Sequence, residues 1–264
     1  MDTNKSLKVV YLICGIVASA LTVGSLSILS SLWEGLAPAT CVPNCFCEAV
    51  RPDGPLRQPV NTWSSVAFIL TGAWLLAVVN GTAEKRSRRF KDVYAILLAT
   101  CSIIIGVGSA FLHASLTLVG QFLDVLGMYL LATFMLLYAC ERLILWTTTL
   151  TFYAFVILNV GLAILLITVP ESRRYVFAIL ILLAVLLEVL VRRYRKPRIL
   201  KKWWNAGLAL LSLAYVIWIL DNQRLLCWPY GLIQGHSIWH ISGAIAIVLL
   251  YNYYASESRN ASSL

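Results

Sequence analysis

The run Leu232–Tyr253, LIQGHSIWHISGAIAIVLLYNY, contains no Asp, Glu, Lys or Arg. About 20 apolar residues cross the hydrocarbon of a bilayer as a helix, so this stretch is a spanning segment by length. It also holds two of the three histidines of the chain, His236 and His240. At spacing i, i+4 both imidazoles lie on one helix face, one turn apart, at roughly 6 Å. Ionisable side chains are expensive inside a membrane helix and mark function there.

Seven further runs of similar length precede it, at roughly Val9–Leu32, Asn61–Val79, Val93–His113, Phe122–Cys140, Thr149–Val169, Tyr175–Val191 and Trp203–Leu220. With 60% hydrophobic and 12% charged residues, the composition excludes a soluble globular domain. Short connections, and the need to satisfy every backbone polar group within the bilayer, predict an all-α integral membrane bundle. The expected organisation is a hydrophobic anchor or signal over 1–40, a Cys/Pro-rich outer loop over 41–60, the helical core over 61–254 and a tail over 255–264. Ala37-Pro38-Ala39 resembles a signal cleavage site, but the leading run is long for a signal core and favours an anchor.

The net charge of +9 does not point to nucleic acid, because the basic residues bunch between spans. Positive-inside placement puts the N-terminus, Lys85–Lys91, Arg142, Arg192–Lys202 and Arg259 in the cytosol. Of the 21 Lys and Arg residues, only Arg51, Arg57, Arg173, Arg174 and Arg224 remain outside. The C-terminus is then cytosolic, and anionic lipid is the expected partner of the inner face.

This orientation sets the polar residues of the spans at one depth. Ser109 and His113 fall in the last turns of the third span, Asp124 in the first turn of the fourth, and His236 and His240 in the first turns of the eighth. Asp221-Asn222 ends the seventh at the same level, towards the outer or lumenal side. Three imidazoles with one open position are the ligand set of a catalytic Zn2+. Asp124 is either a first-turn residue favoured by the helix dipole or a general base for water at the metal. Ser109 either bonds its own backbone at i−4 or donates to a developing oxyanion. Asn61-Thr62-Trp63-Ser64-Ser65 reads as a polar helix start, whose Ser and Thr cap the helix or join it to a neighbour. Glu188 is placed to pair with Arg192 at i+4.

Cys14, Cys101 and Cys140 lie within spans and read as small packing residues. On the outer side, Cys41, Cys45, Cys47 and Cys227 are either unrelated thiols or a pair of disulfides, Cys47–Cys227 with Cys41–Cys45. Spacing alone does not choose between these.

Three segments resemble the alkaline ceramidases, members of a membrane-hydrolase superfamily that includes the adiponectin-receptor-like proteins. They are Ser109-x3-His113-x10-Asp124, His236-x3-His240 with Trp239 before the second histidine, and Trp218-Ile-Leu-Asp221-Asn222 followed by Cys227. The resemblance extends over about residues 45–254. It implies a seven-helix core over 61–254 preceded by an extra helix, with zinc on His113, His236 and His240. It further implies Asp124 as base, Ser109 at the oxyanion, a Cys47–Cys227 disulfide, and ceramide or a related N-acyl lipid as substrate. Asp221, Asn222, Glu48 and Asn61 are supporting candidates. The family's calcium segment is matched at Glu48 but carries Cys45, Ala49 and Gln58 at neighbouring positions, too few oxygen ligands for Ca2+. Two other readings are an adiponectin-receptor-like receptor, expected in the opposite orientation, and a non-catalytic membrane protein with structural zinc.

Overall fold

The computed structural model describes residues 3–81 and 90–257 of the 264-residue chain. The basic stretch Lys85–Arg89 and the tail from residue 258, with Arg259, lie outside the described residues. Eight helices are long and apolar enough to cross a membrane, and no strand occurs among the described residues. They are α1 (Thr3–Ile28), α2 (Pro59–Gly81), α3 (Asp92–Ser115), α4 (Leu118–Ile144), α5 (Thr148–Thr168), α6 (Arg173–Tyr194), α7 (Lys201–Asn222) and α8 (Gly235–Ala255). The apolar runs therefore appear as helices within six residues of their expected bounds, the largest difference being at the start of α1.

The packing order follows from which helices bury small and aromatic residues. α3 lies between α2 and α4, α8 packs against α2 and α7, α5 and α6 lean on α4, and α1 lies outside against α2. The faces of α5, α6 and α7 stay largely apolar and exposed, as lipid-facing surfaces require. α3 and α4 approach closely where Gly108 leaves room. A Cβ there would stand 2.6 Å from the Leu123 carbonyl oxygen and 2.9 Å from the Asp124 nitrogen.

The α3–α4 connection is tight and explains why His113 and Asp124 share one end of the bundle. Leu116 ends α3 in the left-handed region (φ 51°), and Thr117 caps α4 by accepting the Gly120 N–H at 3.1 Å. α4 thus begins at Leu118, and Asp124 lies in its second turn rather than its first, because the cap sits earlier than the apolar run implies.

The segment before α2 folds back over this turn. Ala39 donates to the Leu116 carbonyl and Leu118 to that of Ala37. Arg57 and Gln58 donate to the carbonyls of Ala114 and His113, which the end of α3 leaves without helical partners. Both disulfides form, Cys41–Cys45 and Cys47–Cys227, the second joining this loop to the one before α8. Of the remaining thiols Cys101 is buried, Cys140 partly so, and Cys14 faces outward from α1.

One expected ion pair is replaced. Glu188 pairs not with Arg192 but with Arg142 of α4 at 2.6 Å, both side chains being at most 1% exposed. Arg192 instead lies over the Trp204 ring. Near neighbours on one helix were the obvious partners. A cation from a facing helix can enter the bundle with the carboxylate, however, and a buried carboxylate without a counter-charge is costly.

Candidate metal centre

His113 comes from the last turn of α3, and His236 and His240 from the first two turns of α8. All three are buried, and their ligand nitrogens lie within 4.8 Å of one another. His113 Nε2 and His236 Nε2 are 3.0 Å apart, and ring centroids are separated by 4.4 to 5.1 Å.

The hydrogen bonds around the rings set their tautomers. The Gln58 amide nitrogen donates to the Glu48 carbonyl at 3.1 Å, which turns its oxygen towards His113. His113 Nδ1–H donates to that oxygen at 2.9 Å, leaving the Nε2 lone pair free. Ser64 donates to the Asn61 carbonyl at 3.0 Å and takes the Nδ1–H of His240 at 2.8 Å. His240 Nε2 is therefore also a lone pair, with the Ser109 hydroxyl 3.2 Å away. Two nitrogens facing each other across 3.0 Å repel unless a proton or a cation lies between them. The residues fit a metal: three buried imidazoles close together, with the Nδ1 atoms of His113 and His240 oriented by neighbouring groups.

The Ser109 hydroxyl lies between two acceptors and can give its one proton either to the Asp124 carboxylate or to His240 Nε2. Asp124 is half-buried on α4, opposite the close crossing at Gly108. The buried Asn61 carboxamide has no hydrogen-bond partner at either its oxygen or its nitrogen.

Asp221 plays a different part. Its oxygens accept the Cys47 N–H at 3.3 Å and the Gly235 N–H at 2.8 Å, at the start of α8. A carboxylate is favoured at a helix N-terminus, and this one joins the disulfide loop to the helix bearing two histidines. Gly235 makes the approach feasible, since a Cβ there would meet the Asp221 Cβ at 2.5 Å. Asn222, the next residue, ends α7 and makes no comparable contact with the cluster.

Glu48 is likewise engaged with the backbone. It accepts the N–H groups of Val60 and Asn61 at 2.7 and 2.8 Å, at the start of α2. Burial raises its carboxyl above the ordinary range, while those two donors pull the other way. In the same segment Cys45 is taken up by a disulfide and Gln58 by His113.

Sequence reasoning missed Gln58, Ser64 and Phe46 as neighbours of the histidines. Ser64 left a faint signal, because Asn61, Ser64 and Ser65 stand at i, i+3, i+4 as a polar stripe on an apolar helix. Gln58 and Phe46 lie in irregular chain, where no periodicity identifies a contact.

The ceramidase family model matches residues 58–262. The chain belongs to the ceramidase family. The match includes all three histidines, Ser109 and Asp124. Among curated relatives, this family member is 31% identical over 118 residues to "Alkaline ceramidase" of Drosophila melanogaster, covering 44% of the present chain and 40% of the fly protein. It is 26% identical over 199 residues to "Alkaline ceramidase 1" of Homo sapiens, covering 69% of each.

Proposed function

We propose that the chain is a zinc-dependent intramembrane amidase that cleaves the amide of ceramide, or of a related N-acyl lipid, to a sphingoid base and a fatty acid. The observation that carries this reading is the convergence of three buried imidazoles whose ligand nitrogens lie within 4.8 Å of one another. His113, His236 and His240 would hold the ion. Bound there, zinc supplies Lewis-acid activation of water and of the amide carbonyl.

The protein does the rest. Gln58 and Ser64 keep protons on the outer nitrogens of His113 and His240, so the inner ones remain ligands. Asp124 accepts the proton of the attacking water and returns it to the leaving amine, with Ser109 aligning the carboxylate. The Ser109 hydroxyl then donates to the oxyanion. Asn61, with both amide atoms unspent, offers an NH2 donor group and a carbonyl acceptor, groups that complement a secondary amide. The exposed apolar faces of the bundle suit a substrate that arrives from the bilayer. Lys/Arg asymmetry supports an outer or lumenal site with anionic lipid at the opposite face.

The deciding experiment is metal analysis of the purified protein, followed by a lipid-amide hydrolysis screen with and without chelator. About one zinc per chain and chelator-sensitive release of fatty acid are expected. Undiminished hydrolysis after complete metal removal would discard the mechanism.

A further inference from the structure

A metal-ligating imidazole is normally held in orientation by a hydrogen bond at its other nitrogen. His113 has Gln58 there and His240 has Ser64. His236 has nothing: its Nδ1 is buried without a hydrogen-bond partner. Apart from the other two histidines, what touches this ring is Phe46, stacked on it with centroids 3.9 Å apart and planes inclined by 27°. The same phenyl lies 4.9 Å from the His113 ring.

Phe46 is itself firmly placed. It stands between Cys45, bonded to Cys41, and Cys47, bonded to Cys227. The Cys47 N–H binds the Asp221 carboxylate, which also accepts the Gly235 N–H, next in the chain to His236. Phenyl and imidazole are thus carried by two segments tied to one carboxylate. Phe46 is half-buried, one face on the histidines, while the histidines beneath it are nearly inaccessible.

We propose that Phe46 is the positioning residue of the third imidazole. Stacking does for His236 what a hydrogen bond does for each of the other two, and the flanking disulfides hold the phenyl over the cluster. A flat ring against a flat ring restricts rotation about the imidazole's side-chain bonds and keeps water from the unpartnered nitrogen. The inference rests on the metal reading above, and its test separates the two.

Wild type, Phe46→Ala, Phe46→Leu, Phe46→Tyr and Cys41→Ser/Cys45→Ser proteins are purified and their zinc content measured. Each is then loaded with Co2+, the ligand-field absorption is recorded, and metal loss to a chelator is timed alongside thermal unfolding. Phe46→Leu retains apolar bulk without a flat face, so it reports on stacking even if the alanine variant folds poorly. Phe46→Leu should release metal about tenfold faster and alter the cobalt band, and Phe46→Tyr should restore both. The Cys41→Ser/Cys45→Ser protein should shift towards Phe46→Leu. Wild-type release rate and spectrum in Phe46→Leu would overturn the positioning role, and wild-type behaviour in the double serine variant would overturn the tether. A wild-type protein that binds no metal would refute the metal reading instead.

Discussion

At one end of the bundle Arg142 of α4 meets Glu188 of α6 at 2.6 Å and Glu257, just past α8, at 2.9 Å. Tyr253 donates to Glu188, and the rings of Tyr138 and Tyr254 flank the guanidinium. At the other end three imidazoles from α3 and α8 bring their ligand nitrogens within 4.8 Å of one another, and the Asn61 amide and His236 Nδ1 have no partner. Both clusters are buried, and both bring together helices distant in sequence. The first holds its one cation between two carboxylates, so its charges meet within the chain although Arg142 Nη2 makes no hydrogen bond. The second leaves polar atoms unspent and could hold a metal ion. A buried polar cluster is therefore read by what it leaves unsatisfied rather than by how polar it is.

Substitutions at the two ends separate these roles. His240→Ala should have the largest effect: metal content falls towards zero and hydrolysis to background, as metal analysis and a lipid-amide assay would register. Asp124→Asn should keep its metal and lose about 10²- to 10⁴-fold in turnover, the range for a general base. Normal hydrolysis by that variant would remove Asp124 from the base role. At the opposite end Arg142→Met leaves Glu188 and Glu257 without their cation and should cost about 3–5 kcal/mol of stability, read by unfolding in detergent. The folded fraction of Arg142→Met should hold metal and turn over as wild type does. Loss of metal there would mean that the two ends are coupled. Smallest is Gln58→Leu, which removes the acceptor at His113 Nδ1 and should weaken metal affinity by roughly 10- to 100-fold, read by competition with a chelator.

The legible part of this protein was what repeats or keeps step with helix geometry. Apolar runs mark α1 to α8 to within six residues, and the i, i+4 pair puts His236 and His240 on one face. Alternation of spans across the bilayer brings His113 and Asp124 to the level of that pair. The two disulfides were one of the open alternatives, and the fold selects them by bringing Cys41 to Cys45 and Cys47 to Cys227. Glu188 misled because its nearest cation in sequence lies on its own helix, while the one that fits inside the bundle lies on another. Gln58 gave no warning, since a single glutamine before a helix has no period and its partner is 55 residues away.

The sequence by itself determined that the chain is a helical membrane bundle with three histidines gathered near one face, because hydrophobic period and length act locally. Only the tertiary structure decided which groups hold those histidines: the amide of Gln58, the hydroxyl of Ser64 and the ring of Phe46. Those contacts depend on how the loop before α2 folds over the ends of α3 and α8. That fold-back is set by backbone hydrogen bonds and two disulfides, which no local pattern in the sequence specifies.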